Sequence, residues 1–301
     1  MLNGVGHDLP FDLTSARANW RALPKTTLAL FNKSVLDLSR PFSPFSPIPI
    51  IWSQVLVMTK ILIIGGTAEA KNLHFRLQEK KLFTILSYAG LTESIDKEVK
   101  NIRVGGFGGA MGMSAFVKDE GITHILDASH PFSKNITVNS LLAAQLTKIE
   151  YLGFERPKWQ RQNGDNWKLV SDTNKAIKLI NETDRVFVTI GSKEIRFLNR
   201  KPKPFYLIRM INEPENKMLL DRFKLIFDRG PFTFEQELEI MKEFSINKLI
   251  TKNSGSNAVV EKIHAARELG IEVIMIERPT LPNRKLFTDE NQVVQFFSTP
   301  E

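Results

Sequence analysis

The sequence has no cysteine in its 301 residues. Disulfides, thiolate metal sites, iron–sulfur clusters and cysteine nucleophiles are excluded with it. Long apolar runs are missing too: none approaches the ~20 residues of a membrane-spanning helix. Acidic residues are in short supply, 33 against 41 lysines and arginines, which leaves a formal charge of +8. That balance favours anionic partners such as nucleic acid, phosphorylated cofactors or polycarboxylate substrates. The basic residues are spread along the chain with no basic aromatic cluster, which argues against a nucleic-acid module. What is present, 42% hydrophobic and 25% charged residues, is the composition of a folded chain, and the length suits about two domains.

Residues 1–57 differ from the rest. They hold six of the fifteen prolines, four of them in P-F-S-P-F-S-P-I-P-I at 41–50. Proline at this density blocks helix hydrogen bonding and central strand pairing alike. Asp8, Asp12 and Asp37 do not suit a transit peptide, and no basic-then-apolar signal opens the chain. The expectation is a leader outside the fold, disordered or mis-annotated, with the folded protein starting at Met58.

From there the pattern alternates apolar strands with amphipathic helices. Strands are expected at 60–64, 83–87, 101–104, 123–127 and 150–154, with helices at 68–80, 113–120 and 137–147. After a proline- and tryptophan-bearing stretch at 156–167, strands recur at 185–190, 204–210, 225–228, 248–251 and 272–276. Helices are expected at 173–182, 234–244, 257–269 and 289–297. Such βαβ arithmetic predicts an α/β protein of two Rossmann-like parallel-sheet domains with a cofactor cleft between them. Their expected bounds are 58–155 and 156–301.

In such folds chemistry gathers at the C-terminal ends of strands, where helix N-termini face a crevice. Four segments qualify. G-G-T-A-E at 65–69 combines glycines with a helix start able to receive a phosphate, and Thr67 suits the N-cap. V-G-G-F-G-G-A-M-G at 104–112 has five glycines in nine residues, a sign of close backbone approach to a ligand or to a neighbouring loop. Neither has the spacing of the generic dinucleotide signature. D-A-S-H-P-F at 127–132 ends a strand on Asp127 and His130, either of which can serve acid chemistry or merely hold the turn. T-K-N-S-G at 251–255 sets Lys252 before a helix start, as an anion-binding turn or a simple cap.

Taken in order, these four segments, together with E-R-P-K-W at 155–159, G-P-F-T-F-E-Q-E at 230–237 and I-M-I-E-R-P at 274–279, resemble the precorrin-6A reductase family of cobalamin biosynthesis. The resemblance covers 58–301 and none of 1–57. It implies an oxidoreductase that transfers a hydride from NADPH to a corrinoid macrocycle, precorrin-6A or its cobalt-containing analogue. It also implies a cofactor held by Gly65, Gly66, Thr67, Glu69 and Ser87 from the first domain and by Lys252, Asn253, Ser254 and Gly255 from the second. His130 and Asp127 are the candidate catalytic residues, and no metal is called for. A polycarboxylate substrate gives the positive charge a partner, and a monomer in the cytoplasm without nucleic-acid or membrane partners is expected.

The sequence departs from the family pattern at three positions. Leu91 stands where a basic residue usually follows the second strand, which leaves NADH as an alternative to NADPH. Ser192 replaces an arginine found in some members, and Ser256 a common second glycine. A rival reading is a nucleotide-sugar or short-chain reductase, but that class would show Tyr-x-x-x-Lys. The three tyrosines, Tyr88, Tyr151 and Tyr206, are followed four residues on by Thr92, Glu155 and Met210.

Overall fold

A computed structural model describes residues 58–89, 99–214 and 217–298. The leader at 1–57 and the departure at Leu91 lie outside the described residues. The first strand, β1 (Lys60–Ile64), is buried along nearly its whole length, as a central parallel strand covered on both faces requires. Its side chains alternate between two cores. Ile61 and Ile63 join one cluster, Leu62 and Ile64 the other. Helix α1 (Ala68–Glu79) follows, capped by Thr67, and buries Ala70, Leu73, His74 and Leu77 on one face. His74 is fully buried: its Nε2 lies 3.0 Å from the carbonyl of Lys100 and its Nδ1 2.9 Å from the Thr84 hydroxyl. A carbonyl only accepts, so Nε2 carries the proton and the ring is a neutral structural bridge.

The first sheet continues with β2 (Phe83–Tyr88), β3 (Ile102–Val104), α2 (Gly109–Asp119), β4 (His124–Asp127), α3 (Lys134–Thr147) and β5 (Glu150–Phe154). The chain then crosses to a second sheet. This comprises β6 (Trp167–Val170), α4 (Thr173–Lys178), β7 (Arg185–Thr189), α5 (Ser192–Ile195), β8 (Phe205–Met210) and β9 (Arg222–Phe227), then α6 (Phe234–Glu243), β10 (Lys248–Lys252), α7 (Glu261–Glu268) and β11 (Glu272–Ile276). Finally β12 (Leu286–Phe287) and α8 (Glu290–Ser298) close the chain.

Both sheets are six-stranded, and every pairing between neighbours is parallel. The first has the order β12-β5-β4-β1-β2-β3, the doubly wound dinucleotide-binding arrangement. The second reads β6-β11-β10-β7-β8-β9, the same arrangement with its outermost position filled by its earliest strand. The strand order reverses between β1 and β4 in one sheet and between β7 and β10 in the other.

One expected boundary is corrected. The second domain does not run to the end of the chain, because β12 pairs with β5 in the first sheet, Leu286 against Gly153 and Phe287 against Phe154. Helix α8 follows β12 back, with Val293 and Val294 buried in the core of α1. Arg76 fixes the junction by bonding Glu290 and Asn291 at 3.2 and 2.6 Å. Two short strands, β6 and β12, escape sequence reading, and β9 starts three residues before its expected position. All are edge strands with few buried side chains, so their apolar signal is weak.

Candidate active site

The β1–α1 turn is built as expected. Thr67 accepts from the Ala70 amide at 3.1 Å and donates to the Ala128 carbonyl at 2.7 Å, which ties the turn after β1 to the turn after β4. Gly65 packs against β2: an added Cβ would lie 3.0 Å from the Ser87 carbonyl oxygen, to which the Gly65 amide donates. Gly66 is exposed, and the space around it is open. The free amides at the start of α1 therefore face an unobstructed surface at the switch point, which fits the phosphates of a dinucleotide. Ser87 closes the edge of this surface at the end of β2, almost fully buried.

Glu69 is placed differently. Both oxygens of its carboxylate accept from Nη1 of Arg156, each at 2.8 Å. Arg156 also donates through Nε to the carbonyl of Ser254 at 2.7 Å. A single guanidinium thus clasps the first turn of α1 to the loop after β10. The family resemblance implies a cofactor held by both loops; Arg156 already joins them with the protein's own atoms.

The T-K-N-S-G loop divides its labour. Asn253 is buried and spends its amide on the linker, accepting from the Trp159 amide at 2.8 Å and donating to the Trp159 carbonyl at 3.1 Å. Gly255 has φ +71°, and a Cβ there would lie 1.9 Å from the Pro157 carbonyl oxygen. Ser254 is buried, and its carbonyl takes Arg278 (3.1 Å) as well as Arg156. Asn253 and Gly255 are therefore anchors for the linker between the sheets. Lys252 alone projects into the cleft, where it pairs with Glu194 at 2.5 Å and lies 5.1 Å above the Phe132 ring of the other domain. Glu194 in turn accepts from Thr173.

The cleft between the two sheets is a cavity of about 540 Å³ lined by Ala89, His130 and Phe132 on one side and Gly191, Glu194 and Lys252 on the other. His130 lines it, with Nδ1 accepting from the Phe132 amide at 3.3 Å, which leaves Nε2 as the nitrogen that carries the proton. Burial, reinforced by Arg156, Lys252 and Arg278, drives its pKa down to about 4. At neutral pH it is a hydrogen-bond donor with no acidic proton to spare. Asp127 is held by the protein itself. Both its oxygens are committed, one to the Ser129 amide at 3.0 Å and the other to the Tyr151 hydroxyl at 2.9 Å. It shapes the turn that presents His130; burial of the Tyr151 phenol, reinforced by the charge of Asp127 and its hydrogen bond, pushes that phenol up.

Two residues were missed from sequence. Arg156 belongs to a linker with no periodic signal. Arg103, the middle residue of β3, lies over the Phe107 ring at 3.7 Å and bonds the carbonyls of Gly105 and Gly106 at 2.5 and 3.0 Å. It brings a cation within 3.5 Å of the Ser87 hydroxyl. The glycine run beside it serves the chain itself at Gly112, where a Cβ would lie 1.8 Å from the Phe107 carbonyl oxygen.

This geometry can be compared with known proteins. The model of the family described as Precorrin-6x reductase CbiJ/CobK matches residues 60–298. The chain belongs to the precorrin-6x reductase family. It is 35% identical over 230 residues to precorrin-6A reductase of Rhodobacter capsulatus, covering 76% of this chain and 92% of that one. It is 38% identical over 221 residues to its namesake from a Sinorhizobium species, with 73% and 85% covered. The cobalt-precorrin-6A reductase of Priestia megaterium is 29% identical over 248 residues, with 78% and 96% covered. A solved structure of CobK precorrin-6A reductase superposes with a TM-score of 0.75 at 33% identity, over 80% of this chain and 96% of that one. The two-sheet α/β fold is thus that of a family of oxidoreductases acting in cobalamin biosynthesis, with a nicotinamide cofactor as its norm. Among the described residues no helix is long and apolar enough to cross a membrane.

Proposed function

We propose that this protein transfers a hydride from NADPH to the macrocycle of precorrin-6A. The observation that supports this reading best is the open β1–α1 turn of a complete doubly wound sheet, set beside a cleft whose far wall supplies cations. When bound, the nicotinamide cofactor supplies the hydride; the chain supplies position and electrostatics. Gly65, Gly66 and Thr67 would hold its phosphates at the start of α1. Arg103 is the cation we assign to the 2′-phosphate of NADPH, in place of the basic residue that Leu91 displaces. His130, neutral and donating through Nε2, orients a polar group in the cleft. Reduction of the ring also consumes one proton, and His130 does not supply it at neutral pH. The cobalt-free substrate is favoured because the precorrin-6A reductases are the more similar relatives.

The test is turnover of precorrin-6A and cobalt-precorrin-6A with NADPH or NADH, followed by loss of nicotinamide absorbance. NADPH with precorrin-6A is expected to be the preferred pair. Arg103→Gln is expected to cost NADPH about ten- to a hundredfold in affinity, the worth of a charge-assisted bond, and NADH little. No oxidation with either macrocycle would refute the reading. Equal losses for both cofactors would refute the role of Arg103.

A further inference from the structure

A second cavity opens at the C-terminal edge of the second sheet, about 390 Å³ in volume, and touches the first domain only at His130. Its wall combines Arg209, Arg229, Lys252 and Lys262 with a single acid, Asp228, on the exposed rim. Lys262 is buried, at 4% exposure, and the Arg209 side chain is only 9% exposed. Lys262 donates to the Val259 carbonyl at 2.9 Å and faces the Trp159 ring at 5.2 Å. Arg209 makes a bidentate pair with the fully buried Glu237 at 2.7 and 2.8 Å and lies over the Phe232 ring at 3.9 Å. Among the described residues its Nε is a buried donor with no hydrogen-bond partner.

A fold seldom buries two cations beside one carboxylate, because desolvation is repaid only when each charge is matched. Glu237 is hydrogen-bonded to Arg209, while Lys262 has the Val259 carbonyl as its hydrogen-bond acceptor and feels Glu237 through charge alone. We propose that this cavity is an anion subsite that receives a peripheral carboxylate arm of the macrocycle, held by Lys262 and the rim cation Arg229 beside the pre-aimed Arg209. The cavity is too small for a whole tetrapyrrole but suits an acetate or propionate arm, and it borders the cleft at His130. The ring would then lie in the cleft while its arm is gripped by the second domain. Burial lowers the Lys262 ammonium to about 7, so an arriving anion also restores its charge. This assignment rests on the proposed macrocycle substrate.

Two probes test it. Lys262→Met and Arg229→Gln are compared with wild type for the KM of precorrin-6A, the Kd of NADPH without macrocycle, and melting temperature. Lys262→Met is expected to raise the KM for precorrin-6A about tenfold, Arg229→Gln by less, with the NADPH Kd and the melting temperature unchanged. An unchanged KM in both variants, or a rise in the NADPH Kd instead, would overturn the assignment. The second probe, uroporphyrin I, is a macrocycle with eight carboxylates whose binding is read by fluorescence without turnover. Wild type is expected to bind it about tenfold more tightly than Lys262→Met. Absence of binding or equal affinities would contradict the subsite, whereas failure of wild type to reduce precorrin-6A would instead remove the reductase reading.

Discussion

The turn after β1 and the loop after β10 occupy equivalent positions in two sheets of the same design, and both combine glycine with small polar residues. Their hydrogen bonds go to different places. In the first, Thr67 caps its own helix and the amides that follow are left facing open space. In the second, Asn253 is saturated by Trp159, Gly255 is pressed on Pro157, and Ser254 is held by two arginines. The same composition leaves amides facing open space in one domain and anchors the linker in the other. What separates them is the neighbour that the chain brings up afterwards, residues 155–159, and no local pattern encodes that.

The comparison breaks first at Gly255. Alanine there must leave the left-handed region or push Pro157 away, at roughly 2–5 kcal/mol from backbone strain and overpacking together. Chemical denaturation of Gly255→Ala is expected to show that loss, while Gly66→Ala, with open space around it, pays the backbone part alone. Arg156→Gln comes next. It strips Glu69 and the Ser254 carbonyl of a shared charged donor, and a loss of about 2–3 kcal/mol is expected by the same measurement. Lys252→Ala removes a partly buried pair with Glu194 and should cost about 1 kcal/mol. Its main effect is expected on the macrocycle, through KM.

The smallest effect is expected at His130. Its folded pKa lies below the unfolded value of 6.5, so protonation opposes folding. The stability it contributes is complete above pH 6.5 and is lost as the pH falls toward 4. Turnover should therefore show no ionisation of this residue between about pH 5 and 8. His130→Gln, which keeps a donor, should retain most activity, and His130→Leu should lose more. A break in the wild-type profile near neutrality that His130→Gln abolishes would return the residue to acid catalysis.

Much of the fold was legible because parallel strands buried on both faces announce themselves as uninterrupted apolar runs, as in β1 and β11. The edges were not, since β6 buries only Trp167 and β12 has two residues. The return of α8 to the first domain was illegible for another reason: its apolar face fits either core, and only the pairing of β12 decides. Within the site, Thr67 and the β1–α1 turn could be read because an N-cap is local chemistry. The protein partners of Glu69, Asp127 and Asn253 were not legible, since a polar residue at a strand end looks the same whether it faces a ligand or a partner 24 to 94 residues away.

The most direct measurement is the Kd of NADPH, set beside the melting temperature, for Thr67→Ala and Asn253→Ala. The account predicts that Thr67→Ala weakens NADPH about tenfold with a loss of about 1 kcal/mol in stability. Asn253→Ala should leave the Kd unchanged and destabilise the fold by roughly 1–3 kcal/mol, as an unsatisfied buried linker amide requires. A weakened Kd in Asn253→Ala with normal melting, and an unaffected Kd in Thr67→Ala, would contradict it.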